Sequence, residues 1–370
     1  MIYKNLIVNT KLIKSFNNYV NKNLPHSFIF YGNTGTGKFG HAIEFSNLIL
    51  SKKNNFKNTA DKIKKNLHEN INYILPLPRN RSISKNDSVL KALSQGDIEE
   101  IYNKIQSKLE NPYYDITIDR ANTILINSIR DIKKKINLST YNNQYNIYII
   151  LNAEKLCYPK AESANSLLKI LEEPHDNNLF ILITSNISKM LDTLTSRCTK
   201  IFFPNLEFKE IDIFLQTELN INTNDSNSIA HICNGDVTFA MELSKNFQKR
   251  KENLKLLINL MIDYDINRWE KFSSNLKDKK EFKILLKLFL IFLIDIINYK
   301  KNRTSNQIRC CFCLDEIKKI DGKYKSNTIY RCIDIINETK DNITKNLFMP
   351  LLLTTFYIET FQTLNENLKK

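Results

Sequence analysis

The sequence predicts an α/β fold in which a parallel sheet with flanking helices occupies the first part of the chain. Short apolar strands alternate with helical segments up to about residue 205, an alternation typical of doubly wound parallel sheets. After Pro204 the strand patterns stop, and the remaining residues have helical periodicity. Glycine (7) and proline (8) are scarce among the 370 residues, which also favours a helix-rich chain.

We predict three domains. Residues 1–205 form the α/β domain, residues 206–248 a small helical domain, and residues 249–370 an all-helical C-terminal domain. The polar, lysine-rich residues 51–67 are predicted to be a surface excursion. Strands are predicted at residues 27–32, 71–75, 147–151, 180–184 and 200–203.

The chain is strongly basic, with a formal net charge of +15 and a pI near 9.3. An excess of positive charge favours polyanionic partners, above all nucleic acid. Lysine, asparagine and isoleucine are abundant throughout, however, so a compositional bias explains the charge equally well. The sequence leaves both explanations open.

No segment has the pattern of a secretion signal or a membrane span. The most apolar stretch, residues 284–297, is interrupted by Lys287 and Asp295 and is shorter than the roughly 20 residues a span requires. The seven cysteines are odd in number and lack a disulfide framework, which is typical of reduced thiols. We therefore expect a cytoplasmic protein with no membrane partner.

Three of the cysteines, Cys310, Cys311 and Cys313, lie close together in the sequence. They lack the second ligand pair, or nearby histidine, of a structural zinc site. We expect no metal site, and zinc binding at these three cysteines is the alternative.

Residues 32–38, Gly-Asn-Thr-Gly-Thr-Gly-Lys, fit the first seven positions of a P-loop. Gly32, Gly35 and Gly37 let backbone N–H groups converge on phosphate, and Lys38 would reach the β- and γ-phosphates. The eighth position requires a Ser or Thr hydroxyl for Mg²⁺, but here it is Phe39. The motif predicts a degenerate nucleotide site.

A second Mg²⁺ position is also lost. P-loop ATPases end a buried strand with acidic residues, whereas the strand at residues 147–151 ends in Leu151 and Asn152. The first carboxylate is Glu154, and a register shift that brings it to the acidic position is the alternative. Two non-ligating positions together predict no hydrolysis, weak or no ATP binding and no required cofactor.

A family resemblance rests on two motifs. Residues 163–174, SANSLLKILEEP, resemble a signature of the bacterial DNA polymerase III clamp loader, whose subunits are AAA+ proteins. Residues 195–198, TSRC, are similar to the SRC motif of that family, and residues 179–184 are similar to its sensor-1 strand. The similarity is specific over residues 1–205 and only architectural beyond residue 248.

Two subunit types carry this signature. The gamma/tau type is the ATPase motor, and the delta-prime type keeps the SRC motif but has eroded ATP chemistry, as here. Thr238 lies where a motor would place the sensor-2 arginine. Many family members insert a four-cysteine zinc module after the P-loop helix, but residues 51–67 contain no cysteine, so we expect no zinc.

The resemblance implies that Arg197, flanked by Ser196 and Cys198, is an arginine finger for a neighbouring subunit. Arginine suits this role because its planar guanidinium matches phosphate oxygens. The implied function is a non-hydrolysing stator of the clamp loader, with gamma/tau and delta subunits, the sliding clamp and primed DNA as partners. The alternatives are an ATP-hydrolysing gamma/tau-type motor and a non-replicative AAA+ DNA-repair factor.

Overall fold

The chain divides into two compact units, Met1–Glu210 with Gly235–Thr238, and Ile211–Asn234 with Phe239–Lys370. The division of the helical region into domains at residues 206–248 and 249–370 stays a prediction. The structure is a computed structural model that describes residues 1–52, 56–138, 144–263, 265–276, 278–302, 308–344 and 347–365.

The first unit is built on a five-stranded sheet. The strands lie side by side in the order β2-β3-β4-β1-β5, and every pairing is parallel. In chain order they are β1 (Ser27–Tyr31), β2 (Ile71–Ile74), β3 (Asn146–Leu151), β4 (Asn178–Thr184) and β5 (Thr199–Phe202). The predicted fold class, a parallel sheet of AAA+ type with flanking helices and a helical C-terminal region, is confirmed.

The helices that flank the sheet separate its strands in sequence. They are α1 (Thr10–Asn21), α2 (Lys38–Leu50), α3 (Phe56–Lys64), α4 (Gln95–Glu110), α5 (Ile126–Leu138), α6 (Glu162–Glu172) and α7 (Asp192–Thr195). The predicted surface excursion at residues 51–67 is mostly exposed where the structure describes it, but it contains a helix, α3, that was not predicted. Thr59 and Ile63 of this helix are buried, and the apolar residues at 56, 60, 63 and 67 do recur at helical spacing within the lysine-rich segment.

Aromatic packing fixes the strand and the helix on either side of the P-loop. Phe16 of α1 and Phe45 of α2 stack with ring centroids 4.6 Å apart, and Phe16 lies 5.4 Å from Phe30 of β1. All three side chains are fully buried. Because β1 and α2 are held by the same cluster, the loop that joins them has fixed ends.

The second unit is built from helices, and no strand occurs among its described residues. The most apolar stretch of the sequence lies in the helix Lys279–Asn302 and is buried, as expected. None of the helices that the structure describes has the length and apolarity to cross a membrane. The helices after the sheet are α8 (Phe208–Leu219), α9 (Thr223–Cys233), α10 (Val237–Ser244), α11 (Phe247–Ile262), α12 (Ile266–Ser274), α13 (Lys279–Asn302), α14 (Leu314–Lys323), α15 (Ser326–Thr344) and α16 (Met349–Asn365).

Candidate P-loop and arginine sites

The predicted P-loop spans the turn between β1 and α2. Gly32, Gly35 and Gly37 all have positive φ, at 144°, 68° and 80°. A Cβ on Gly32 would lie 2.2 Å from the carbonyl oxygen of Phe203, so no other residue fits there. The strand, glycine loop and helix therefore lie in the arrangement that the motif predicts.

Lys38 is bound by the loop itself. Its ammonium donates to the carbonyl oxygens of Gly32, at 2.6 Å, and of Asn33, and lies 3.3 Å from the Thr36 hydroxyl. The residue is only 8% exposed. Burial lowers the pKa of Lys38 to about 8, although the carboxylates of Asp236 and Glu154 act in the opposite direction.

Residues 235–238, which belong to the first unit, cover the middle of the loop. The Thr34 hydroxyl donates to Asp236 Oδ2 at 2.8 Å, and the Val237 N–H donates to the Gly35 carbonyl at 3.3 Å. A Cβ on Gly35 would lie 2.1 Å from Asp236 Oδ1. A carboxylate at this place repels phosphate, which is also anionic. Thr238, at the predicted sensor-2 position, donates its hydroxyl to the Tyr113 carbonyl at 3.0 Å.

Phe39, at the Mg²⁺ position of the motif, is a buried packing residue. It is 4% exposed, and its ring centroid lies 6.2 Å from that of Tyr73. The Lys108 ammonium from α4 lies 5.0 Å from the Phe39 centroid, within the range of a cation–π contact. Burial lowers the pKa of Lys108 to about 8. A cationic side chain and an aromatic ring thus lie where a motor subunit has a hydroxyl.

The predicted acidic positions are also non-ligating in the structure. Leu151, the last residue of β3, is buried, and Asn152 is exposed with a positive φ of 50°. The neighbouring Glu154 carboxylate accepts a hydrogen bond from the Thr184 hydroxyl at 2.5 Å. The negative charge of Glu154 partly opposes the lowering of the Lys38 pKa by burial, so this carboxylate acts electrostatically on the P-loop lysine.

Arg197 lies between α7 and β5. Its side chain is 39% exposed, with Nη2 2.8 Å from Glu172 Oε1 and Nη1 donating to the Thr193 carbonyl at 3.1 Å. Cys198 is buried in the core below the sheet, and burial raises the pKa of its thiol to about 11. Ser196 is exposed and donates to the same Thr193 carbonyl.

The P-loop and Arg197 lie at opposite edges of the sheet. The P-loop follows the carboxyl end of β1, whereas the carbonyl of Arg197 accepts a hydrogen bond from Ser27, the first residue of β1. Five residues of parallel strand separate their ends by about 13 Å. Arg197 therefore does not face the P-loop of its own chain.

A family model described as DNA polymerase III, delta subunit, matches residues 8–207, which is more than half of the chain. The chain belongs to this family. The matched residues include the P-loop, β3, β4 and the SRC motif, so all the candidate site residues except Thr238 lie inside the family's region.

Relatives of this family carry two kinds of name. A protein named DNA polymerase III subunit delta' from Bacillus subtilis (strain 168) is 35% identical over 111 residues, covering 30% of this chain and 32% of the relative. Another of that name, from Buchnera aphidicola subsp. Schizaphis graminum (strain Sg), is 29% identical over 59% of this chain and 64% of the relative. A protein named subunit tau from Bacillus subtilis (strain 168) is 22% identical over 87% of this chain and 54% of the relative. The chain thus spans less than two thirds of each.

Two of the three clustered cysteines singled out in the sequence are buried. Cys310 and Cys313 are buried, and burial raises the pKa of both thiols, that of Cys313 to about 12. In the part of the chain that the structure describes, no three His, Cys, Asp or Glu side chains are grouped to hold a metal ion.

Sequence reasoning missed three residues that the structure brings to these sites. Glu172 lies inside the quoted stretch 163–174 and Asp236 two residues before the sensor-2 position, but neither was assigned a role. Lys108 lies in a charged helix without a distinguishing pattern. Their contacts join residues far apart in the chain, and residue spacing does not reveal such contacts.

Proposed function

We propose that this chain is a subunit of the bacterial DNA polymerase III clamp loader that does not hydrolyse ATP itself. It helps to load the sliding clamp onto primed DNA and supplies Arg197 to the ATP site of an adjacent ATPase subunit. Membership of the family and the delta' names of several relatives support this role.

The position of Arg197 carries the proposal. The side chain is exposed at the edge of the sheet opposite its own P-loop, so a polyphosphate that it contacts belongs to another subunit. An arginine supplied across an interface stabilises charge that develops on the γ-phosphate and accelerates hydrolysis by ~10³–10⁵. The buried Cys198 beside it fixes the backbone from which the arginine projects.

The chain's own P-loop supports the non-hydrolysing part of the proposal. Phe39, Leu151 and Asn152 supply no Mg²⁺ ligand of the usual kind, and the Lys38 ammonium is bonded to loop carbonyls. The Asp236 carboxylate adds negative charge beside Gly35. We infer weak or no ATP binding, no required cofactor and no zinc.

The partners follow from the same role. They are the gamma/tau and delta subunits of the loader, the sliding clamp and primed DNA, all in the bacterial cytoplasm. The net charge of +15 favours contact with DNA through its phosphates. The predicted C-terminal domain, residues 249–370, would form a collar, the part of the loader through which its subunits join.

A second candidate is an ATP-hydrolysing motor of the gamma/tau type. Similarity to proteins named subunit gamma and subunit tau favours it. The loss of both Mg²⁺ positions disfavours it, because hydrolysis at a P-loop needs the metal ion to neutralise developing charge.

The test is an Arg197→Ala variant in a loader reconstituted from the organism's own subunits. We expect DNA-stimulated ATPase activity and clamp loading to fall without loss of assembly, since one exposed side chain rarely costs much stability. We expect only part of the activity to be lost, because the other ATP sites of the loader receive their arginines from other subunits. Arg197→Lys should restore little of the activity, because the lysine ammonium does not reproduce the two parallel hydrogen bonds of the planar guanidinium.

Arg81→Ala is the control, because Arg81 is an exposed arginine of the same unit outside both sites. It should leave both activities unchanged. A loader containing Arg197→Ala that hydrolyses ATP and loads clamps at the wild-type rate contradicts the proposal.

A further inference from the structure

The Arg197 guanidinium is held by its own chain. Glu172, the last residue of α6, lies 2.8 Å from Nη2, and the Thr193 carbonyl accepts from Nη1 at 3.1 Å. Both charged side chains remain accessible, Arg197 at 39% and Glu172 at 46% exposure. The pair is therefore open to competition from another anion.

Helix stability does not explain a glutamate at this position. The carboxyl end of a helix carries partial negative charge, so cations are favoured there and carboxylates are disfavoured. Yet α6 ends in Glu172 and is followed by Glu173. Residues that are unfavourable for local structure, such as a carboxylate at the end of a helix, are expected at positions where function requires them. The ion pair with Arg197 is the only interaction of the Glu172 carboxylate among the described residues.

We propose that Glu172 is a positioning residue that holds the Arg197 guanidinium against its own chain until an incoming polyphosphate replaces the carboxylate. This inference rests on the proposed role of Arg197 in a neighbouring ATP site. Glu172 itself contacts no substrate. It acts through the arginine, by competing with the phosphate for the same donor groups.

The strengths of the competing interactions agree with a reversible contact. An exposed ion pair shifts an equilibrium by no more than about fivefold. A triphosphate carries several negative charges and accepts the guanidinium in a bidentate manner, so it displaces a single carboxylate. Glu172 thus weakens engagement of the arginine without preventing it.

Two neighbouring substitutions separate this role from a simple effect on the helix. Glu172→Gln removes the charge that pairs with Arg197. Glu173→Gln removes an equal charge from the same helix end, and Glu173 makes no ion pair among the residues that the structure describes. Both changes relieve the unfavourable charge at the end of α6 by similar amounts.

The experiment measures the ATP dependence of DNA-stimulated hydrolysis by the reconstituted loader. For Glu172→Gln we expect the apparent KM for ATP to fall about two- to fivefold, the range of an exposed ion pair, while the maximal rate stays unchanged. Glu173→Gln should leave both parameters at wild-type values. In an Arg197→Ala background, Glu172→Gln should have no effect, because the group that it competes for is gone.

A second measurement uses the isolated chain. The side-chain Nε–Hε resonance of Arg197 should shift on Glu172→Gln and stay in place on Glu173→Gln. A change in unfolding free energy with Glu172→Gln but no change in KM would mean that the pair is only structural, and would overturn the inference. An unchanged resonance, or a higher KM, would overturn it as well.

Comparing the Arg197→Ala and Glu172→Gln loaders also shows whether the positioning role of Glu172 or the proposed function of Arg197 fails. If Arg197→Ala leaves the loader at full activity, the arginine role itself fails. If Arg197→Ala impairs the loader and Glu172→Gln leaves KM at the wild-type value, only the positioning role of Glu172 fails.

Discussion

Phe39 stands at the Mg²⁺ position of the P-loop motif and is a packing residue in the structure. In the sequence it is a missing Mg²⁺ hydroxyl, whereas in the structure its ring is buried against Tyr73 and beneath the Lys108 ammonium. Reversing the substitution therefore removes packing as well as restoring a hydroxyl. The residue at the Mg²⁺ position of the motif is therefore part of the packing around the P-loop.

We predict that Phe39→Ser destabilises the chain and does not restore ATP hydrolysis. Removing a buried phenyl ring costs about 3–5 kcal/mol of unfolding free energy. Turnover stays absent because Leu151 and Asn152 still offer no carboxylate and Lys38 remains bonded to the loop carbonyls. Urea unfolding and a steady-state ATPase assay measure the two effects.

Phe39→Leu is the control for packing, since it keeps an apolar side chain and should cost less. The organism's gamma/tau subunit serves as the positive control for turnover. ATP hydrolysis by folded Phe39→Ser at a rate comparable with that subunit would show that the hydroxyl was the only defect.

Among the elements, α13 carries a buried carboxylate that orders a distant segment of the second unit. Asp295 is fully buried and accepts hydrogen bonds from the N–H groups of Arg309, at 3.0 Å, and Cys310, at 2.7 Å. The Arg309 guanidinium lies 3.9 Å from the carboxylate. Through these hydrogen bonds, Asp295 holds residues 309 and 310, which precede α14, against α13.

We predict that Asp295→Ala is strongly destabilising and Asp295→Asn much less so. Alanine leaves the buried Cys310 N–H and the partly buried Arg309 N–H without an acceptor, whereas asparagine keeps one oxygen acceptor. A buried N–H group without an acceptor costs about 1–3 kcal/mol. Urea unfolding of the two variants measures the difference. Equal losses would mean that these hydrogen bonds contribute nothing.

The same residue gives a pH dependence with a definite sign. Burial raises the pKa of Asp295, which the two N–H groups and Arg309 only partly offset. A carboxyl whose folded pKa is raised contributes stability at low pH that is lost as pH rises through the folded pKa. As pH rises above about 4, the ordinary pKa of an aspartate, the stability of wild type relative to Asp295→Asn should therefore fall.

For the whole molecule, we predict that the purified chain contains no stoichiometric zinc. Two of the three clustered cysteines are buried thiols with raised pKa values, and no metal-ligating group of three is present among the described residues. Elemental analysis of the native protein checks this. About one zinc per chain would contradict the prediction, and its loss on Cys313→Ala would assign it to this cluster.

At the same scale, the first unit places its two candidate sites at opposite edges of one sheet. The P-loop lies at the carboxyl ends of the strands and Arg197 at their amino ends, because all five strands are parallel. Under the proposed function, the P-loop edge would face a nucleotide of this chain's own site and the Arg197 edge a neighbouring subunit.

The sequence by itself determined the fold class, the five strands and the two defects of the P-loop. These features depend on local patterns, namely apolar runs, glycine spacing and the identities of Phe39 and Asn152. The SRC motif and the LLKILEEP stretch were equally local and identified the family.

Only the tertiary structure decided how these parts interact. It placed Asp236 over Gly35, Lys108 over Phe39 and Glu172 against Arg197. The partners in these pairs are between 25 and 201 residues apart. Periodicity reports which face of a helix or strand is buried, but not which distant side chain meets it, because that choice depends on how the whole sheet and its helices pack.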